Sequence, residues 1–272
     1  MKRTAFFISD STGITAETLG AALLSQFPQI NFSKITIPYV NSEDKAREVV
    51  TQINKASRKD QAKVLVFSTL AKPEIRSLIA DCNCMFIDFF DILVGPLETE
   101  LQSKYVQEIG KLHKIPDAKT YEARIAAIDF ALSTDDGLGI KNYKNAEIIL
   151  IGVSRSGKTP TCIYLALKFG IRAANYPITE EDTTVSSLPT VLRPYRKKIF
   201  GLTIATERLH EIREQRKPNS TYASLPQCQK EFRYIEQMFK SEHIPYLEST
   251  DFSIEEIATQ IITKMPIKRH VF

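Results

Sequence analysis

Short apolar segments alternate with longer amphipathic ones along most of this chain. Unbroken apolar runs at residues 5–8, 64–67 and 148–151 are typical of parallel strands covered on both faces. The pattern also predicts strands at residues 34–40, 85–88, 173–178, 198–204 and 245–247. It predicts helices at residues 14–24, 43–56, 73–80, 97–112, 120–132, 161–169, 227–241 and 254–264. This alternation predicts an α/β protein with mainly parallel sheets, whose strand order cannot be inferred.

A phosphate-binding motif lies between a predicted strand and a predicted helix. It has the form G-x-x-x-x-G-K-[ST] and consists of Gly152, Val153, Ser154, Arg155, Ser156, Gly157, Lys158 and Thr159. Such a P-loop directs backbone N–H groups at phosphate oxygens and adds the charge of its lysine, while its final hydroxyl can hold Mg²⁺. The motif therefore predicts a nucleotide-binding site, with Arg155 as a further cation inside the loop. Gly170 is expected to end the helix that follows.

The strand pattern is interrupted between residues 96 and 140, where apolar residues recur at helical spacing. We therefore expect an N-terminal α/β domain at residues 1–95 and a helical connection at 96–140. A C-terminal, P-loop kinase-like α/β domain is expected at 141–272. A polar segment at residues 113–117 separates the two predicted helices of the connection.

Acidic residues are the next requirement, because phosphoryl transfer needs groups that orient the metal or the nucleophile. Glu180, Glu181 and Asp182 follow the second strand of the P-loop domain, where ligand-facing loops lie. Asp182 is the candidate base or metal partner, although a solvated acidic loop explains these residues equally well. Asp135 and Asp136 rank second, because they precede the P-loop strand and reach the site only if the chain folds back. The strand predicted at 198–204 ends without an acid, so the P-loop domain shows no clean Walker B strand, which favours a small kinase over a motor or switch NTPase.

Two further polar groups have more than one interpretation. Basic residues cluster after the second strand of the P-loop domain, at Arg193, Arg196, Lys197, Lys198, Arg208, Arg213, Arg216 and Lys217. They suit either an anion-binding lid or a solvated helix face. The polar turn at residues 9–13 suits either a second anion-binding turn or an ordinary helix start.

Composition limits the class of protein. Lys and Arg total 36 against 32 Asp and Glu, and the net charge of +4 suits anionic ligands without indicating nucleic acid. The four cysteines are scattered and are interpreted as reduced thiols. No apolar run approaches the length of a membrane span, and the first apolar run is too short for a signal peptide. The sequence therefore predicts a cytoplasmic protein that binds neither nucleic acid nor membrane.

Several strings in the chain resemble the pyruvate, phosphate dikinase and phosphoenolpyruvate synthase regulatory protein family. They are GVSRSGKTPT at residues 152–161, SDSTGITAE at 9–17, RIAAIDF at 124–130, DDG at 135–137 and AANYP at 173–177. RIAAIDF and the string YASL at 222–225 resemble the synthase branch more than the dikinase branch. The resemblance spans nearly the whole chain.

The resemblance implies a bifunctional enzyme. Members of this family phosphorylate a threonine of their target with ADP as the donor, and they remove that phosphoryl group with inorganic phosphate, releasing pyrophosphate. The implied protein substrate is phosphoenolpyruvate synthase, with pyruvate, phosphate dikinase as the alternative, and Mg²⁺ is the expected metal. Carried over by position, residues 152–159 bind the nucleotide. The P-loop motif itself makes the Thr159 hydroxyl the candidate ligand of the metal.

The residues themselves leave other functions open. Lys158, Asp182 and Asp136 are the candidate catalytic residues, and they would equally serve a P-loop kinase for a small hydroxylated metabolite. A nucleotide-sensing module without turnover is a further alternative. For the N-terminal domain, target recognition and formation of a homodimer are both open.

Overall fold

The computed structural model describes residues 2–106, 118–179, 182 and 187–270. The chain divides into two compact units, Met1–Lys114 and Ile115–Phe272. In its described part each unit contains a four-stranded, entirely parallel sheet, which confirms the predicted α/β class. None of the described helices is both long and apolar enough to span a bilayer.

The first unit wraps its helices around a sheet with strand order β2-β1-β3-β4. Its elements are β1 (Lys2–Ser9), α1 (Ile14–Leu24), β2 (Asn31–Ile37), α2 (Glu43–Asp60), β3 (Val64–Thr69), α3 (Pro73–Ala80), β4 (Cys84–Asp88) and α4 (Phe89–Leu101). Successive side chains of β1 enter different cores, because side chains alternate between the faces of a strand. Phe6 and Ile8 pack in one cluster, and Ala5 and Phe7 pack in the other. Both faces of the sheet are therefore covered, as the apolar run predicts.

Two predicted elements of this unit are wrong in position. The second strand lies at Asn31–Ile37 rather than 34–40, because it pairs with β1 from its first residue and Pro38 follows it. The helix predicted at 97–112 begins at Phe89, where the Asp88 side chain accepts a hydrogen bond from the Asp91 N–H and caps it. This helix ends at Leu101; residues 107–112 of the predicted helix, and the polar segment 113–117, lie outside the described residues. The separate helical connection at 96–140 therefore stays a prediction.

The second unit has strand order β6-β5-β7-β8. Its elements are α5 (Ala118–Ser133), β5 (Ile148–Gly152), α6 (Lys158–Phe169), β6 (Ala173–Pro177), β7 (Ile199–Thr203), α7 (Thr206–Arg216), α8 (Leu225–Ser241), β8 (Tyr246–Glu248) and α9 (Ile254–Lys264). Short 3₁₀ segments lie at Asp135–Gly137, Ile140–Asn145, Thr190–Lys198 and Thr221–Ala223. The chain leaves β5 towards β6 and later returns to the other side of β5 with β7. The carboxyl end of β5 is thus a topological switch point, where ligands bind in open parallel sheets.

The strand β5 is central because its side chains serve both cores of this unit. Ile148 and Leu150 pack in the cluster that contains α6 and α9 side chains, and Ile149 and Ile151 pack in the cluster that contains α7 and α8 side chains. All four side chains are fully buried. Burial of each contributes about 1.5–3 kcal/mol, so the position of the P-loop strand is strongly determined.

The helix α7 is not predicted by the sequence pattern. Its segment TERLHEIREQR is mostly charged or polar, and the residues it buries are Leu209 and Arg213. A helix that buries an arginine does not show the apolar stripe on which pattern-based prediction depends.

We predict that an added Cβ destabilises the first unit much more at Gly20 than at Gly95, although both glycines are helical. A Cβ at Gly20 would lie 2.4 Å from a ring carbon of Phe7 and 3.0 Å from the ring of Phe67. Gly20→Ala should therefore lower the free energy of unfolding by about 1–3 kcal/mol, despite the better helix propensity of alanine. Apart from its chain neighbours and its own helix backbone, Gly95 in α4 has no described atom within 4 Å of an added Cβ. The following Pro96 offsets part of the better helix propensity of alanine, so Gly95→Ala should change the free energy of unfolding by less than about 1 kcal/mol. Urea denaturation of both variants is the measurement, and the opposite ranking would contradict this packing.

Candidate functional site

The phosphate-binding motif forms a tight loop between β5 and α6. A side chain at Gly152 is excluded, because a Cβ would lie 2.1 Å from the Leu202 carbonyl oxygen. Gly157 has a φ of 88° at the N-cap of α6, a conformation that glycine adopts without strain. No described atom lies within 4 Å of where its Cβ would be. The first glycine therefore permits close packing of β5 on β7, and the second leaves the approach to the helix N-terminus open.

Lys158 is buried inside this loop. Its side chain donates a hydrogen bond of 2.8 Å from Nζ to the Val153 carbonyl oxygen. Burial lowers the pKa of Lys158 to about 8, against the raising effect of the nearby Asp136, and the residue is only 4% exposed. An ammonium held in a poorly solvated site interacts strongly with an anion, because little water screens the charge.

The turn Asp135–Gly137 lies against the P-loop, so the chain does fold back. The Asp135 carboxylate accepts a hydrogen bond of 2.8 Å from the Thr159 hydroxyl, and it also accepts one from the Asn175 side-chain amide. The Asn175 side-chain oxygen accepts the backbone N–H of Asp136 at 3.1 Å. Asn175 is fully buried on β6, beside β5. A pair of acids that the sequence ranks second therefore lies at the nucleotide-binding motif.

These groups surround a cavity of about 240 Å³, the P-loop cavity. Its lining residues are Asp136, Ser154, Arg155, Gly157, Lys158, Thr159 and Pro160. A lysine, an arginine and a helix N-terminus suit phosphate groups. The Thr159 hydroxyl and the Asp135 carboxylate beside it are hard oxygen donors of the kind that Mg²⁺ prefers. The residues present thus fit a magnesium-bound chain of phosphates.

Asp182, the first-ranked acid, lies in a different environment. Its carboxylate accepts hydrogen bonds from the N–H and hydroxyl of Thr179 at 3.0 and 3.1 Å, and from the Tyr176 hydroxyl at 3.3 Å. It is not among the residues that line the P-loop cavity. The structure therefore brings Asp136, but not Asp182, to the cavity beside Lys158. Glu180 and Glu181 lie outside the described residues.

Some residues of the basic cluster are already paired with acidic side chains and are not available to bind an anion. Arg213 is 1% exposed, and it pairs with Glu231 at 2.7 Å. The interpretation of Arg213 as part of an anion-binding lid or a solvated face is therefore wrong. Arg196 pairs with Glu242 at 3.4 Å. For the other residues of the cluster, both interpretations stay hypotheses.

Arg213 instead supports the P-loop from the side of α7 and α8. It donates a hydrogen bond of 3.2 Å to the Ser154 carbonyl oxygen, and its guanidinium lies 4.1 Å from the centre of the Tyr222 ring. The Tyr222 hydroxyl lies 3.0 Å from the Ser154 hydroxyl. Burial alone would lower the pKa of Arg213, but the hydrogen bonds and charge of Glu231 raise it, so the side chain stays cationic. Sequence reasoning missed this network, although Tyr222 belongs to a string that signals the family.

The polar turn at residues 9–13 has a structural role in the first unit. Asp10 is buried, and its carboxylate accepts the N–H of Ala71 at 2.7 Å. Burial raises the pKa of Asp10. When ionised, this carboxylate would repel an anion bound at the turn. Gly13, with a φ of 79°, precedes the first residue of α1. A second anion-binding site at this turn stays a hypothesis.

We predict that burial of Lys158 makes stability depend on pH in a defined direction. Its folded-state pKa of about 8 lies below its ordinary value of 10.5, so between these values the unfolded chain binds more protons than the folded one. Below that interval the buried charge destabilises the folded chain. This destabilisation is lost as the pH rises through the interval. The unfolding free energy of the wild type, relative to Lys158→Met, should therefore rise between about pH 7.5 and pH 10.

Chemical denaturation at several pH values measures this difference. Lys168→Met is the matched control, because Lys168 is exposed on the same helix. A difference between the wild type and Lys158→Met that does not change with pH would contradict a buried ammonium at this position.

Comparison with known proteins identifies the family of this chain. A family model described as kinase/pyrophosphorylase matches residues 5–262. A protein of Hahella chejuensis is 54% identical over 271 residues, which cover 100% of both chains. A protein of Marinobacter nauticus is 53% identical over 270 residues, covering 99% of this chain and 100% of the relative. Both relatives carry the provisional name phosphoenolpyruvate synthase regulatory protein. The resemblance drawn from the sequence strings is confirmed, and the chain belongs to the kinase/pyrophosphorylase family.

Proposed function

We propose that this protein regulates phosphoenolpyruvate synthase by reversible phosphorylation of a threonine. In one direction it is an ADP-dependent threonine kinase, and in the other it is a phosphorylase that uses inorganic phosphate and forms pyrophosphate. The names of the relatives support the target, and the family description supports the two activities. The observation that carries the proposal is the P-loop cavity, where Lys158 and Arg155 lie with the carboxylate of Asp136.

In the kinase direction, the threonine Oγ attacks the β-phosphorus of ADP. The Oγ–P bond forms, the bond between this phosphorus and the bridging oxygen breaks, and AMP leaves with the bonding electrons. Lys158 and Arg155 offset the charge that develops on the transferred group. We assign the hydroxyl proton to the Asp136 carboxylate, because Asp136 lines the cavity and Asp182 already accepts three hydrogen bonds.

In the phosphorylase direction, an oxygen of inorganic phosphate attacks the phosphorus of phosphothreonine. A new P–O–P linkage forms, the bond to Oγ breaks, and the threonine oxygen takes up the proton of the attacking hydrogen phosphate, relayed by the Asp136 carboxylate. The pyrophosphate produced occupies the positions of the two phosphoryl groups of ADP, so one loop serves both directions. Thr159 and Asp135 would hold Mg²⁺, which when bound offsets phosphate charge.

Transfer of label tests the proposal directly. Purified phosphoenolpyruvate synthase is incubated with this protein and ADP labelled on the β-phosphate, and the label should appear on threonine. A small-metabolite kinase would prefer ATP and leave the synthase unlabelled. A nucleotide sensor would bind ADP and transfer nothing. Either of these outcomes would refute the proposal, and transfer to pyruvate, phosphate dikinase alone would refute the choice of target.

We predict that Lys158→Ala weakens both reactions. Removal of one preorganised charge or donor costs about 2.7–4 kcal/mol in the transition state, or about 10²- to 10³-fold in rate. Rates of threonine phosphorylation and of pyrophosphate formation are the two measurements, with Lys168→Ala on the same helix as the control. A variant that keeps full phosphorylase activity would show that the two reactions do not share this site.

We predict that Asp136→Asn and Asp182→Asn separate the two candidate acids. Asp136→Asn should lower turnover in both directions by about 10²- to 10⁴-fold, because general base catalysis contributes that much. Asp182→Asn should affect turnover less, since Asp182 does not line the P-loop cavity. Steady-state kinetics, together with ADP binding by calorimetry, measure both effects. A larger loss of turnover in Asp182→Asn would return the role of base to Asp182.

A further inference from the structure

A second cavity, of about 330 Å³, adjoins the P-loop. Lys158 and Arg155, the proposed phosphate-binding residues, do not line it. We name it the acceptor cavity, and its lining includes Ser154, Ile178, Thr179, Thr221 and Tyr222. Ser154 also lines the P-loop cavity, so the two cavities meet at this residue. Pro177 ends β6, and the N–H of the next residue, Ile178, donates to the Gly152 carbonyl oxygen at 3.0 Å. The acceptor cavity therefore lies at the same sheet edge as the P-loop.

The described lining of the acceptor cavity offers no uncompensated charge. It contains one cation, Arg213, which pairs with Glu231 at 2.7 Å and 3.2 Å through separate nitrogens. Tyr222, Ile178 and Pro177 contribute apolar surface. A phosphate would find its charge unmatched here, whereas an uncharged chain segment with aliphatic groups would be well accommodated.

The position of Lys158 shows which end of a bound nucleotide the acceptor cavity faces. In P-loops the lysine reaches the outer phosphates, and the hydroxyl residue that follows it holds the metal. The Lys158 ammonium lies on the Val153 carbonyl, next to Ser154 in the chain. An outer phosphoryl group bound by Lys158 would therefore lie near the Val153–Ser154 end of the loop. The acceptor cavity shares Ser154 at that end and is not lined by Lys158, Thr159 or Pro160.

We propose that the acceptor cavity binds the segment of the target protein that carries the accepting threonine. This inference rests on the proposed function and names the place where its protein substrate binds. The threonine hydroxyl lies at the Ser154 end, facing the outer phosphoryl group, and the neighbouring uncharged side chains occupy the apolar surface formed by Tyr222 and Ile178. The same segment occupies the cavity when it is phosphorylated, so both reactions depend on it.

The substitution Thr221→Trp tests this assignment, because Thr221 is exposed on the wall of the acceptor cavity. An indole there should obstruct the cavity and lower kcat/KM for phosphorylation of the target by on the order of 10²-fold, since misplacement of a reactant has effects of that size. Pyrophosphate formation from the phosphorylated target should fall in parallel. The Kd for ADP, measured by calorimetry, should be unchanged, which also shows that the variant is folded. Thr263→Trp, at an exposed position on α9, is the matched control.

The outcomes distinguish this inference from the proposed function. Loss of ADP affinity in Thr221→Trp would identify the cavity as a nucleoside site and overturn the inference. Transfer as fast as in the wild type, in both directions, would overturn it too. If the wild type itself transfers no label from ADP to threonine, that result overturns the proposed function, and the inference that rests on it falls as well. A selective loss of transfer in Thr221→Trp, with the Thr263→Trp control fully active, supports the inference.

Discussion

The hydrogen bonds of one buried amide determine the geometry of the candidate site. Asn175 has no exposed surface, and its side chain contacts the Asp135 carboxylate, the backbone N–H of Asp136 and, at 3.4 Å, the Thr159 hydroxyl. A buried polar group without a partner costs about 1–3 kcal/mol, so the fold cannot readily separate these elements. The acidic turn, the strand β6 and the start of α6 are consequently fixed together by folding itself.

A buried guanidinium stabilises the other side of the P-loop. Arg213 links α7 to α8 through Glu231 and reaches the Ser154 carbonyl oxygen. Breaking a buried ion pair by removing one partner typically costs about 3–5 kcal/mol, which makes this contact a firm support. Between the two supports lies Lys158, whose ammonium rests on a carbonyl oxygen of its own loop. The Lys158 ammonium, which would bind a phosphate, is therefore held in place by a backbone carbonyl of the phosphate-binding loop itself.

Much of the fold follows from local sequence, but the site follows from it only in part. The helices at Ile14–Leu24, Pro73–Ala80 and Ile254–Lys264 have the predicted bounds. The first is rich in helix formers, and in the other two apolar spacing agrees with a helix-start signal, a proline in the first turn or a serine cap. The P-loop can be predicted from the sequence because its residues are consecutive along the chain. The approach of Asp135 to Thr159 is not evident, since it depends on how the chain reverses between α5 and β5. Nor does any local pattern show that Arg213 is buried. An available signal was Asn175, a polar residue in an otherwise apolar strand.

The two sheets share one connection scheme, in which the first strand lies between the second and the third. Each sheet also draws its four strands from one continuous stretch of chain, and no strand pairing joins the two sheets in the described residues. Domains generally fold as units during synthesis, with the N-terminal one first. The nascent chain can therefore complete its first sheet before the P-loop strand has left the ribosome. The nucleotide-binding unit then forms when the first unit is already folded, so unpaired strands of the two units need not be present at the same time.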